Sequence, residues 1–192
     1  MLKLNNRYFL LRHGQATSNL NPRWIATWPE KQKVSRLTLK GIKQIKKDNQ
    51  FFKKVGLDFI FSSDLKRTQE TAKIVSQATK APVIYKKEFR ELNVGIFKNQ
   101  PISNYRKYFY NHVDRFAKRP PKGENLNECE KRMFQAFQEI NKKYKNKNIL
   151  IVSHGDPLWL LEGAIKNKTP MQVAMARSHR LWPGDYRELK TK

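Results

Sequence analysis

The chain has 192 residues, of which 39% are hydrophobic and 11% aromatic. This length and composition suit a folded domain with a sizeable core and argue against intrinsic disorder. The single cysteine, Cys129, excludes an intrachain disulfide, and no apolar stretch approaches the roughly 20 residues of a membrane span. Residues 1–6 lack the apolar core of a signal peptide, so we expect a cytoplasmic protein with no membrane partner.

The formal net charge of +24 is unusual for a small enzyme and has two interpretations. One is an anionic partner such as RNA, polyphosphate or an acidic membrane surface. The other is a solvated surface with no dedicated partner. The charges are spread over several segments and lysine outnumbers arginine, which favours the second interpretation with non-specific attraction to polyanions or RNA.

Apolar runs alternate along the chain with stretches of helical periodicity. The predicted strands are residues 7–12, 58–62, 82–85 and 148–154. The predicted helices are residues 38–55, 64–78, 124–144 and 156–165, with Thr38 and Asp64 as N-caps of the first two. The run at 148–154 is the most apolar and should be central in the sheet, while the tail, 180–192, is ambiguous and is a candidate edge strand.

Strands that alternate with helices predict an α/β fold. We expect a three-layer sandwich, with a mostly parallel central sheet and helices on both faces, built as a single domain over residues 1–192.

Two of the apolar strands end in His-Gly, at His13-Gly14 and at His154-Gly155. Open α/β sheets bind ligands beyond the carboxyl ends of their strands, so the two imidazoles are expected to meet there. Arg12 strengthens this interpretation, because a buried arginine is costly unless an anion pairs with it. The alternative is that each histidine is a satisfied core or capping residue.

Two charged residues between the histidines complete a candidate phosphoryl-transfer site. Arg67, in the first turn of a predicted helix, should point towards the strand ends near His13. Glu91 has apolar neighbours, and partial burial would raise its carboxyl pKa and suit it to act as an acid. The alternatives are a surface arginine and a rim glutamate paired with Arg90.

The order of these motifs resembles the histidine phosphatase superfamily, with its phosphoglycerate mutase-like fold, over about residues 7–165. The matching segments are LRHGQ at 11–15 with Asn19, LTLKG at 37–41, FSSDLKRTQETA at 61–72, REL at 90–92 with Gly95, PKGEN at 121–125 and VSHG at 152–155. Two departures are Gln15, where the family more often has Glu, and Ala16, where it often has Thr or Ser.

The resemblance implies a metal-independent phosphomonoesterase of the histidine acid phosphatase type, with no cofactor and a small-molecule phosphomonoester as substrate. His13 would become phosphohistidine, and Glu91 would be the proton donor. Phosphate-binding roles fall to the remaining matched residues, Arg12, Asn19, Arg67, His154 and Gly155. The loop at residues 20–35 and the segment 101–122 are expected to cover the leaving group. Trp24 and Trp28 in the loop either stack on a base or sugar or pack the loop itself, and packing is favoured. The aromatic residues of 101–122 are interpreted as one amphipathic lid helix.

Two alternatives remain open. One is a phosphoglycerate mutase-type phosphoryl transfer, although the segment between Glu91 and Pro121 is short and favours a phosphatase. The other is a basic RNA-associated module, because the tail at residues 184–189 resembles phosphatase-like domains associated with isoleucyl-tRNA synthetases.

Overall fold

A computed structural model describes residues 2–21 and 35–190. Its five strands are β1 (Arg7–Arg12), β2 (Phe59–Ser62), β3 (Val83–Tyr85), β4 (Asn148–Ser153) and β5 (Tyr186–Glu188). Its α-helices are α1 (Leu39–Lys47), α2 (Asn49–Val55), α3 (Lys66–Thr79), α4 (Ile102–Lys107), α5 (Asp114–Ala117), α6 (Leu126–Lys143), α7 (Gly155–Ile165) and α8 (Pro170–Met175). Short 3₁₀ turns lie at Thr17–Asn19, Lys87–Phe89, Gly95–Phe97 and Ala176–His179.

The strands form one sheet in the order β3-β2-β4-β1-β5. All neighbours are parallel except β5, which pairs antiparallel with β1 at the edge. The predicted α/β architecture is therefore confirmed, with β4 in the centre and the tail as an edge strand. Parallel pairing brings the carboxyl ends of β1, β2 and β4 to one edge of the sheet.

Helices cover both faces of the sheet, because successive strand residues point to opposite sides. Tyr8 and Leu10 of β1 belong to a core cluster with residues of α6 and α7. Phe9 and Leu11 instead join a second cluster with residues of α1, α2 and α3. Burial on both faces explains why β1 and β4 are apolar runs without polar alternation.

Three local predictions were wrong. The helix expected at 38–55 is divided at Asp48, which ends α1 and begins α2; its amide bonds to Ile45 and Lys46 carbonyls tighten the chain there. Asp64 does not cap α3, because its carboxylate is bound by Arg90 at 2.5 Å and Leu65 takes the N-cap position. Thr38 does cap α1, accepting a bond from the Gly41 amide.

The third wrong prediction concerns the lid. The aromatic segment expected as one lid helix forms two short helices, α4 and α5, whose buried aromatic residues pack in a separate cluster against α6 and α7. Trp24 and Trp28 lie outside the described residues.

Candidate active site

The two histidines lie at adjacent strand ends, as predicted. His13 follows β1, His154 follows β4, and the His13 amide donates to the Ser153 carbonyl at 3.1 Å. The two rings are 5.2 Å apart between centroids and inclined at 64°. Both side chains are buried. The geometry thus places two imidazoles side by side at the carboxyl edge of the sheet.

The hydrogen bonds of His13 define which nitrogen is available for chemistry. Nδ1 lies 2.8 Å from the Gly14 carbonyl, which can only accept, so Nδ1 carries the proton. Arg67 Nε donates to His13 Nε2 at 3.2 Å. Burial lowers the His13 pKa well below its usual value, and the charges of Arg67 and Arg12 lower it further. His13 is therefore neutral, with the lone pair on Nε2.

The two ring nitrogens of His154 have different surroundings. Its Nε2 lies 3.0 Å from the Ser63 hydroxyl, which accepts from the Leu65 amide and so can donate its proton to that nitrogen. When the hydroxyl is the donor in this contact, the proton of the neutral ring lies on Nδ1. This atom is buried and has no hydrogen-bond partner among the described residues. A buried N–H without a partner is costly and indicates a binding position for an acceptor.

Arg12 and Arg67 supply the positive charge. Arg67 is 2% exposed, and its position in the first turn of α3 brings it to His13 as predicted. Arg12 donates through Nη1 to the Leu181 carbonyl at 2.9 Å, whereas its buried Nε has no hydrogen-bond partner within residues 2–21 and 35–190. Burial lowers the Arg12 pKa, which reflects the cost of an ion whose charge is incompletely compensated.

Glu91 lines the same cleft as His13, Arg12 and Arg67. Its Oε1 accepts from the Leu92 amide at 3.0 Å, and its backbone carbonyl accepts from Arg132 at 3.1 Å. Burial raises the Glu91 pKa, and the nearby Asp156 carboxylate raises it further, against the lowering effects of Arg67 and Arg12. Arg90, the partner considered for Glu91 in the alternative interpretation, binds the Asp64 carboxylate through Nε and Nη2.

Asn19 and Gly155 have different relations to the cleft. Asn19 lines it, and its Oδ1 accepts from the Ala16 amide at 2.9 Å, so the Nδ2 group is the end that would donate to a ligand. Gly155, the first residue of α7, lies against the side chains of Arg12 and Arg180. A Cβ atom there would meet Arg180 Nη2 at 2.8 Å and Arg12 Cζ at 3.1 Å. Gly155 thus leaves room for the guanidinium of Arg12.

The sequence interpretation missed a charge cluster in the cleft and a structural arginine behind it. The Asp156 carboxylate lies 2.7 Å from Arg180 Nη2 and 3.4 Å from Arg115 Nη2. All three residues line the cleft. Arg132 on α6 holds the Glu88 and Glu91 carbonyls and forms a bidentate pair with Glu124. The position of Asp156 directly after His154-Gly155 is a sequence signal that could have placed it at the site. Arg115, Arg132 and Arg180 are distant from these motifs along the chain and give no such signal.

The cleft has a volume of about 980 Å³, enough for a substrate larger than a phosphate ion. Across residues 2–21 and 35–190, no group of three or more His, Cys, Asp or Glu side chains is arranged to hold a metal ion. In the same ranges, no helix combines the length and apolarity needed to cross a bilayer.

The fold and the site together define a class of α/β protein that has two histidines and two arginines at the carboxyl edge of a mostly parallel sheet. The model of the histidine phosphatase superfamily, branch 1, matches residues 8–179. The chain belongs to this superfamily, which confirms the resemblance found in its motifs.

Individual proteins resemble this chain in sequence or in fold. A probable phosphoglycerate mutase, GpmB, of Yersinia pestis is 34% identical over 160 residues, covering 80% of this chain and 71% of that protein. Among solved structures, a mycobacterial glucosyl-3-phosphoglycerate phosphatase has a TM-score of 0.81 at 18% identity, covering 95% of this chain and 88% of that one. A putative alpha-ribazole-5′-P phosphatase of Escherichia coli has a TM-score of 0.78 at 24% identity, with the same two coverages. These two structures share the fold.

Proposed function

We propose that this protein is a metal-independent phosphomonoesterase that acts through a phosphohistidine on His13, with Glu91 as proton donor. The observation that carries the proposal is the arrangement at His13 Nε2. A neutral, buried imidazole offers its lone pair beside Arg67. Two further buried nitrogens, Arg12 Nε and His154 Nδ1, have no hydrogen-bond partner among the residues that the structure describes, and we assign both as donors to the substrate. An anion with several oxygens would satisfy all of these donors.

In the first half-reaction, the phosphoryl oxygens accept from Arg12, Arg67, His154 and the Asn19 amide. As His13 Nε2 attacks phosphorus, the Arg67 N–H keeps its proton and donates its hydrogen bond to a phosphoryl oxygen in place of Nε2. The bond between phosphorus and the leaving oxygen breaks, and the Glu91 carboxyl gives its proton to that oxygen. The arginines stabilise the negative charge that spreads over the equatorial oxygens.

In the second half-reaction, water attacks the phosphohistidine. Glu91, now a carboxylate, takes a proton from that water, the P–N bond breaks, and phosphate leaves with His13 restored. The raised pKa of Glu91 suits both roles, because the group must be protonated in one step and ionised in the next. The Glu91 backbone is fixed through Arg132, and Phe89 through Ser153, which positions the carboxyl group.

The test is His13→Ala, assayed with p-nitrophenyl phosphate in EDTA, together with trapping of the phosphoenzyme by acid quench from a labelled substrate. We expect loss of turnover and of label in the variant. His179→Ala is the matched control, because His179 is exposed and does not line the cleft. Wild-type activity in His13→Ala would refute the mechanism.

A mutase is the second candidate, favoured by the 34% identity to a probable phosphoglycerate mutase. The two activities share the phosphohistidine and differ in whether water or an acceptor hydroxyl takes the phosphoryl group. Only about 30 residues separate Glu91 from Pro121, which favours access of water over enclosure of a second substrate. Product analysis with excess 3-phosphoglycerate as acceptor separates the candidates, since a mutase yields a phosphorylated acceptor and a phosphatase yields inorganic phosphate.

We further propose that residues 1–192 form a single domain of this type. Its support is the sheet, in which β1 and β5, near opposite ends of the sequence, are paired neighbours.

A further inference from the structure

A tight turn at residues 182–185 is hydrogen-bonded to the backbone of His13, the proposed nucleophile, and of Arg12. The Gly184 amide donates to the His13 carbonyl at 3.0 Å, and the Arg12 amide donates to the Asp185 carbonyl at 3.0 Å. Within the turn, the Asp185 amide donates to the Trp182 carbonyl, and the Trp182 amide donates to the Asp185 carboxylate at 3.1 Å. Pro183 and the left-handed Gly184, with φ of 88°, restrict the turn further. The backbone of Trp182 is therefore rigidly positioned relative to His13.

The side chain on this rigid turn is nevertheless exposed. Trp182 is 74% exposed and lines the same cleft as His13 and Glu91. Leaving an indole in water forgoes one of the largest hydrophobic gains any side chain offers. Exposed Leu39 and Met175 do not line the cleft and are ordinary scattered apolar residues. Trp182 differs because it lines the cleft and lies on a turn that is hydrogen-bonded to the backbone of Arg12 and His13.

A second exposed ring lines the cleft from a distant segment. Tyr110, between α4 and α5, is 96% exposed. Flat aromatic faces bind planar rings by stacking, and their few rotatable bonds make this inexpensive in conformational entropy. The cleft volume of about 980 Å³ leaves room for a ring beyond the phosphoryl position.

We propose that Trp182 is a specificity residue that stacks on a planar aromatic ring in the leaving group. The preferred substrates are then phosphomonoesters of alcohols that carry an aromatic or heteroaromatic ring, with Tyr110 as a second contact. This inference rests on the proposed function, because it assigns the leaving-group side of the same site.

The experiment compares benzyl phosphate with cyclohexylmethyl phosphate. Both leaving groups are primary alcohols of similar size and acidity, so they place the same demand on Glu91 and differ in ring planarity. We expect wild-type kcat/KM to favour benzyl phosphate by about tenfold, the lower range of base–aromatic stacking. In Trp182→Leu, which keeps an apolar side chain without a π face, this ratio should fall to about one. Trp182→Phe should retain most of it.

Two further measurements make the result decisive. Tyr85→Ala removes an exposed aromatic residue outside the cleft and should leave the ratio unchanged. Dissociation constants for benzylphosphonate and cyclohexylmethylphosphonate, which are not hydrolysed, report ring recognition without turnover. If wild type binds benzylphosphonate more tightly than cyclohexylmethylphosphonate and Trp182→Leu does not, the inference is supported. This holds even if the protein hydrolyses no phosphate ester, because absence of hydrolysis would refute only the proposed function. Equal ratios in wild type and Trp182→Leu overturn the inference while leaving a working phosphatase intact.

Discussion

Gly155→Ala tests whether the position of the Arg12 guanidinium limits activity. The added methyl group would lie 2.8 Å from Arg180 Nη2 and 3.1 Å from Arg12 Cζ. Ordinary contact begins at 3.4 Å, so Arg180 must withdraw by about 0.6 Å and Arg12 by about 0.3 Å. Arg12 cannot simply rotate away, because its Nη1 is bound to the Leu181 carbonyl at 2.9 Å. The displacement is therefore expected to reach the phosphoryl position.

The size of the effect follows from that displacement. A misplacement of about 1 Å can cost about 100-fold in rate. If the logarithm of the loss scales with distance, the shift of about 0.3 Å that Arg12 must make corresponds to a loss of about 4-fold in kcat/KM. Hydrolysis of p-nitrophenyl phosphate measures this loss, and inhibition by vanadate, which mimics pentacovalent phosphorus, should weaken in parallel. Thermal stability should change little, because alanine in a helix gains about 0.5–1 kcal/mol over glycine and offsets part of the strain.

Gly163→Ala is the matched control on the same helix, α7. Its Cβ would meet Val173 Cγ2 at 2.6 Å, within a hydrophobic cluster and away from the arginines. Overpacking there should lower the free energy of unfolding by about 1–3 kcal/mol and leave kcat/KM per folded molecule unchanged. Wild-type kcat/KM and vanadate inhibition in Gly155→Ala would refute the assignment of Arg12 to the phosphoryl group.

The remaining predictions concern the acid, its pH dependence and the surface charge. Glu91→Gln should slow alkyl phosphates by about 100-fold or more and p-nitrophenyl phosphate much less, because a good leaving group departs without a proton; equal losses would indicate a structural role. Asp156→Asn removes a negative charge that raises the Glu91 pKa. Glu91 then loses its proton at lower pH, so the alkaline limb of kcat/KM for an alkyl phosphate should move to lower pH, and an unmoved limb would count against Glu91 as the acid. RNA binding should weaken steeply between low and physiological salt, because the net charge of +24 is diffuse, and an electrophoretic shift titration should not distinguish one RNA from another. Retention of one tRNA at physiological salt, with other RNAs rejected, would overturn the last prediction.

The strands and the positions of the candidate site residues at their ends were predictable because their signals are local. Runs such as Ile149–Val152 are apolar at every position, which is typical of a strand buried on both faces. In a parallel sheet, the carboxyl ends of neighbouring strands meet at one edge. That rule places His13 and His154 at the same edge of the sheet without knowledge of any side-chain packing. Arg67 followed from its place one turn into the next helix.

The wrong and missing predictions share a different origin. Asp64 has the sequence signature of a helix cap, but Arg90, 26 residues away, binds its carboxylate in a bidentate pair. A charge-assisted pair of this kind outweighs a capping bond to a backbone amide. Arg115 and Arg180 are likewise distant from Asp156 along the chain, so their convergence depends on how α4, α5 and the tail pack. Sequence spacing cannot report such contacts.

The tail has a structural role in the site that its sequence alone did not suggest. β5 closes the sheet against β1, and the turn before it holds the backbone of Arg12 and His13 through Gly184 and Asp185. The Leu181 carbonyl binds the Arg12 guanidinium as well. The resemblance of this tail to domains associated with isoleucyl-tRNA synthetases stays a prediction. The contacts nevertheless give the Gly184–Asp185 pair a role that needs no RNA, because these residues bond to the backbone of Arg12 and His13 and hold the turn that carries Trp182.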